Sequence, residues 1–167
     1  MILSKLFSRK ADPASALYGA IVAAARQERF YREWDVPDTL DGRFDMMVLH
    51  LYLVLNRLRE CPQNFRQRLT DLFFADLDRT LREMGVGDLS VSKKIRPMAE
   101  AYSGRLQAYV DAEKAGKNAW IGALERNVYG GKPTLQAKNL AEWVAQAQAT
   151  LAAQNQENLM MGKMTLP

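Results

Sequence analysis

The stretch RFDMMVLHLYLVLNRL, residues 43–58, is apolar on almost every side when wound as a helix. A helix of that kind has no face to offer water, so other elements must enclose it. Phe44, Val48, Leu51, Leu55 and Leu58 form one stripe, widened by Met47 and Tyr52. The most apolar part, Met46 to Leu55, is interrupted by His50 and falls well short of the ~20 residues that span a bilayer. A chain of 167 residues is long enough to wrap such a helix within one domain. Hydrophobic residues at 48% and charged residues at 25% supply the core and surface of a globular protein and exclude disorder along most of the chain.

The flanking segments are helical in pattern too. Asp12 before Pro13 reads as an N-cap and a first-turn proline. The helix that follows places Leu17, Ile21 and Ala24 on one face and runs out near RQERFYREW. Pro37 holds Val36 extended, and the central helix is expected to begin around Asp41, with that carboxylate as its cap. Cys61-Pro62 ends it. Phe65, Leu69, Leu72, Phe73, Leu77, Leu81 and Met84 then keep the helical period. Along this segment Asp78 with Arg82, and Arg79 with Glu83, are spaced to pair. Gly85 stands where a left-handed C-terminal cap belongs. Ile95, Met98, Tyr102, Leu106 and Tyr109 mark the next helix, whose start is expected near Lys93 or Lys94 so that Pro97 falls in its first turn. Gly116 closes it. Trp120, Leu124 and Val128 carry a shorter helix, and Leu140, Trp143, Val144, Ala147 and Leu151 a last one.

The expectation is an all-α, single-domain bundle of about six helices. Residues 1–11 form a flexible basic segment, 12–154 the helical domain and 155–167 a loose tail without periodicity. The opening MILSKLFSRK interleaves Ile2, Leu3, Leu6 and Phe7 with basic residues. That pattern suits weak contact with an anionic membrane surface, although a frayed basic terminus accounts for it equally well. It lacks the apolar core and cleavage site of a signal peptide.

Residues that carry chemistry are few. Gly85-Val86-Gly87 follows a helix rather than a strand and has Ser90 at the third-glycine position, so it is a poor dinucleotide loop. His50 is the only histidine, and its apolar setting favours a hydrogen-bonded core residue over a haem ligand or catalytic base. Cys61 is the only cysteine, which leaves no intramolecular disulfide and no cysteine metal cluster. Asp71, Asp76 and Asp78 spread around their helix among arginines, as a solvated face does. No catalytic, cofactor or metal site emerges. The net charge of +4 is small and interleaved with acids, so direct DNA binding is not expected.

Longer phrases say more. YREWDVPDTLDGRFDMMVLHLYLVLNRL (31–58), DLDRTLREMGVGDLSVSKKIRPMAEAYSGRLQAY (76–109) and ERNVYGG (125–131) resemble, in order, signature stretches of the ubiquinol–cytochrome c chaperone family. The resemblance covers most of residues 16–150. Two positions depart from it: Ser103 stands where the family tends to carry an aromatic residue, and Pro97 where a basic one is usual.

The resemblance implies a non-enzymatic, all-helical assembly factor for ubiquinol–cytochrome c reductase that holds newly made cytochrome b. A ribosome or a second assembly factor is an additional implied partner. The short basic start suggests a bacterial member working in the cytoplasm, peripheral to the inner membrane. A membrane client calls for an apolar groove with a charged rim. Phe74, Met84, Val86 and Tyr102 are the candidates for the groove; Asp78, Arg82, Asp88, Lys93, Lys94 and Arg105 are those for the rim. Taken singly, Asp88 as a helix cap and the lysines as solvated charges are sufficient accounts; taken together, the cluster reads as a recognition surface. The alternative function is a peripheral membrane- or ribosome-docking adaptor that uses the basic start.

Overall fold

The computed structural model describes residues 12–167; the basic opening segment lies outside the described residues. Among these there are eight helices and no strand: α1 Pro13–Ala25, α2 Glu28–Arg32, α3 Leu40–Arg57, α4 Gln63–Glu83, α5 Asp88–Ala115, α6 Lys117–Asn127, α7 Leu135–Ala153 and α8 Gln156–Met160. Six of them run 11 residues or longer. The all-α bundle expected from the periodicity is what forms, with α2 and α8 as additional single turns too short to show a repeat.

The apolar run becomes the axis. In α3 every residue from Phe44 to Val54 is buried, and α1, α5 and α7 pack around it while α4 lies across α1 and α5. Helix α1 contributes Leu17 and Ile21, both fully buried. Asp12 caps it, its carboxylate accepting from the Ala14 amide at 3.3 Å, and Pro13 follows in the first turn. The cap of α3 is Thr39 rather than Asp41: Thr39 Oγ1 accepts from the Gly42 amide at 3.1 Å. Gly42, whose amide makes that bond, presses so closely on Pro37 that an added Cβ would lie 1.8 Å from the Pro37 carbonyl oxygen.

His50 is a core residue. Its ring is fully buried, 5.4 Å from Phe30 and 4.9 Å from Trp143 between centroids. Burial lowers its pKa to about 4, so the ring is neutral near pH 7, and Nδ1 donates to the Met46 carbonyl at 2.8 Å in the tautomer that satisfies both groups.

Two expectations need correction. Helix α5 starts at Asp88, not near Lys93, and carries Pro97 in its interior. The proline deprives the Lys93 carbonyl of its helical donor, but Lys93 and Pro97 are both exposed, so water can take the place of that donor. The segment 155–167 is not loose. Asn155 caps α8, Leu159 is fully buried, and α8 packs on α1. Gln154 bonds Thr165 twice, at 2.7 and 2.8 Å, while the Pro167 carbonyl accepts from Trp143 Nε1 at 3.2 Å and from Arg29. Single turns and side chain–backbone bonds hold it, and neither leaves a periodic trace.

No helix among the described residues is long and apolar enough to cross a membrane.

Candidate docking corner between the fourth and fifth helices

The candidate surface is built on the turn from α4 to α5. Helix α4 stops at Gly85, which takes φ +88°. The Gly85 amide donates to the Arg82 carbonyl at 2.9 Å and the Val86 amide to the Leu81 carbonyl at 3.0 Å. That pair of bonds is a Schellman closure. It fully accounts for the first glycine of GVG without a ligand. Gly87 then precedes the first turn of α5, where Asp88 places its carboxylate against the positive end of the helix.

Arg82 ties the corner together. Its Nε lies 2.6 Å from Asp78 Oδ2, one turn back on α4, and its guanidinium also bonds Asp88 at the start of α5. The neighbouring Asp78 carboxylate holds the guanidinium pKa above its ordinary value. Asp88 is exposed and Arg82 and Asp78 are open to water over about two-fifths of their side chains, so the bridge orients the turn more than it stabilises the fold.

The exposed apolar atoms of the corner belong to Met84, at 61% exposure, and Leu89, at 91%. Val86 between them is half-buried. Lys93 and Lys94 follow, exposed and without an ion pair to any described residue. The geometry therefore presents an apolar knob beside two exposed positive charges.

Three of the ten candidates lie elsewhere. Tyr102 is only 7% exposed, its ring 5.6 Å from Phe73 and 5.3 Å from Phe74, with its hydroxyl 3.4 Å from Thr70 Oγ1. Phe74 is half-buried in the same cluster. These rings clamp α4 to α5 and form no open groove. Arg105 stands 17 residues beyond Asp88, about 26 Å along the helix axis. Its Nε lies 2.7 Å from the buried Asp45 carboxylate, and its guanidinium covers the Phe44 ring at 5.3 Å. It is an internal anchor from α5 to α3, not part of the rim. The helical period assigns Tyr102 and Arg105 to α5 but cannot say which side of α5 faces α3.

Leu89 was missed by the sequence reading. It sits two residues before the buried Val91, and positions two apart face roughly opposite sides of a helix. The signal was present, but starting α5 near Lys93 hid it.

Among the described residues no group of three or more His, Cys, Asp or Glu side chains could hold a metal ion. What the arrangement can do is present a fixed apolar contact with charge beside it.

Comparison with known proteins gives the chain's relatives. Residues 32–166 match the family model described as Ubiquinol-cytochrome C chaperone. The chain is 26% identical over 117 residues to Protein CBP3, mitochondrial, of Saccharomyces cerevisiae, covering 66% of this chain and 35% of that protein. It thus spans about a third of that relative's length. The crystal structure of the Cbp3 homolog from Brucella abortus superposes with a TM-score of 0.81 at 35% identity, covering 93% of this chain and 88% of that one.

Proposed function

The chain belongs to the ubiquinol–cytochrome C chaperone family, and from that premise we propose that it is a non-catalytic chaperone for assembly of ubiquinol–cytochrome c reductase, with newly made cytochrome b as its client. The observation that carries this reading is the family match, continuous over residues 32–166.

The α4–α5 corner is the proposed client contact. Newly made membrane segments expose apolar side chains that aggregate unless something covers them. Leu89 and Met84 supply apolar area at a tip that the Arg82 bridge and the Gly85 cap hold in place. Lys93 and Lys94 beside them suit the acidic or carbonyl-rich ends of such segments. A small contact of this kind binds weakly and lets go, as a chaperone must. In this reading the chain acts from the cytoplasmic face of the inner membrane, as the resemblance to the family implies.

The test is genetic and spectroscopic. In a respiring bacterial host that encodes this protein, its deletion should lower the cytochrome b signal in reduced-minus-oxidised membrane spectra, and the plasmid-borne chain should restore it. An unchanged cytochrome b signal in the deletion strain would contradict the proposal.

A further inference from the structure

Helices α1, α3 and α4 do not close completely on one another. Between them lies a slot of about 110 Å³ whose floor is Phe44, Met47, Phe73 and Leu77, with the rings of Tyr18 and Tyr31 among its walls. The two tyrosine hydroxyls are already bonded. Tyr18 donates to Asp76 Oδ2 at 3.0 Å, and Tyr31 donates to the Ala25 carbonyl at 3.0 Å. An apolar occupant would therefore leave neither tyrosine hydroxyl unsatisfied.

The slot shares Arg26, Tyr31 and Arg43 with a neighbouring basin of about 510 Å³ that adds Glu28, Arg32 and Asp38. Three guanidinium groups there face two carboxylates. Arg32 pairs with Glu28 and Arg43 with Asp38, but these side chains are 76% and 80%, and 58% and 59%, exposed. Pairs so open to water are weak and exchangeable. Arg26 is exposed and makes no ion pair with any described residue. Asp76, which also lines the slot, is paired with Arg79, so the mouth is left with the positive charge of Arg26 in excess.

Size and charge together select the occupant. Small-molecule sites usually enclose ~300–1,000 Å³ and bury most of their ligand. Here the apolar space holds about one large side chain, and the adjoining space is polar and open. An acyl chain would not fit, and a small acid would remain mostly wet. A protein segment can fill the slot with one side chain and leave its neighbours on the basin, the way a helix seats an anchor residue.

We propose that this slot is a second docking site, for a protein segment that inserts one leucine- or phenylalanine-sized side chain and sets an aspartate or glutamate, one helical turn away, against Arg26. It goes beyond the client contact at the α4–α5 corner. Phe73, Asp76, Leu77 and Thr80 line the slot, whereas Asp78 and Arg82 form the bridge at the corner. One helix would then serve two partners on adjacent flanks.

The probe is an acetylated and amidated alanine-based helical peptide with one phenylalanine and a glutamate one turn to either side. It is titrated into the isotope-labelled full chain and followed by NMR. Saturable shifts should centre on the Met47 methyl and the amides of Tyr31 and Leu77. Arg26→Glu, which removes no ion pair or side-chain hydrogen bond seen among the described residues, should weaken binding about fivefold. Replacing the peptide phenylalanine with alanine should abolish the shifts. Three results would overturn the proposal: no saturable shift at the slot, equal binding of a peptide with lysines in place of the glutamates, or equal binding of N-acetylphenylalanine alone.

Discussion

The Arg105 Nε lies 2.7 Å from Asp45 Oδ1 while its guanidinium covers the Phe44 ring, yet its N–H is not aimed at that oxygen. The contact is a close ion pair rather than an aligned hydrogen bond. Burial accordingly outweighs the arginine, and the Asp45 pKa rises to about 7 from an ordinary 3.8.

The sign of the resulting pH dependence is fixed. Asp45 holds its proton more tightly folded than unfolded, so its contribution is full below about 3.8 and is lost as pH rises through about 7. His50 acts in the opposite sense: its folded pKa of about 4 lies below the ordinary 6.5, so stability falls as pH drops through that window. Between these limits the two slopes oppose each other. We expect a nearly flat stability for the wild type from about pH 4.5 to 6.5. Asp45→Asn should make stability rise with pH there and His50→Gln should make it fall, read by urea denaturation at each pH.

Tyr102 and Arg105 should behave as structural residues. Tyr102→Ala removes a ring from the Phe73–Phe74 cluster and should destabilise by about 3–5 kcal/mol. Tyr102→Phe loses only a long contact with Thr70 and should stay within about 1 kcal/mol. Thermal melts of the two variants check this. Equal melting of Tyr102→Ala and the wild type would return Tyr102 to the list of surface residues.

The glycines should rank by what an added methyl would meet. Gly85→Ala meets nothing within 4 Å and loses only its left-handed preference, at about 1–2 kcal/mol. Gly42→Ala would drive Cβ onto the Pro37 carbonyl oxygen and should prevent normal folding. Gly162→Val, at φ +84° and 2.8 Å from the Ala16 methyl, should release residues 156–167 while the rest of the bundle stays folded. Hydrogen exchange localised to that segment is the readout.

Arg82→Gln separates a brace from a stabiliser. Its partners are solvated, so the melting temperature should move little, by the equivalent of at most about 1 kcal/mol. Loss of the bridge frees the α4–α5 turn, and recovery of cytochrome b with the tagged chain should fall roughly threefold. A large drop in stability with unchanged recovery would reverse that assignment.

The fold was legible because burial follows period. The run around Val48 is apolar on nearly every side and the spacing Leu69, Phe73, Leu77 and Leu81 projects one face, and those residues are buried. Asp12, Pro13 and Gly85 announce helix ends through local chemistry that needs no tertiary context. What escaped was set by tertiary contact. Residues 155–167 dock through Leu159, Gly162 and hydrogen bonds to Gln154. An interior Pro97 is tolerated because its side of α5 is wet. The candidate surface was legible in part: Asp78, Arg82 and Asp88 do converge, while Arg105 reaches inward because its partner Asp45 belongs to another helix.

The central claim is that cytochrome b is held at the α4–α5 corner, and a photo-crosslinking amino acid at position 89 tests it most directly. The same group at Lys138, exposed on α7, is the control. After irradiation of respiring cells, the account predicts a cytochrome b adduct from position 89 and none from position 138. An adduct from 138 alone, or none from either, would contradict it.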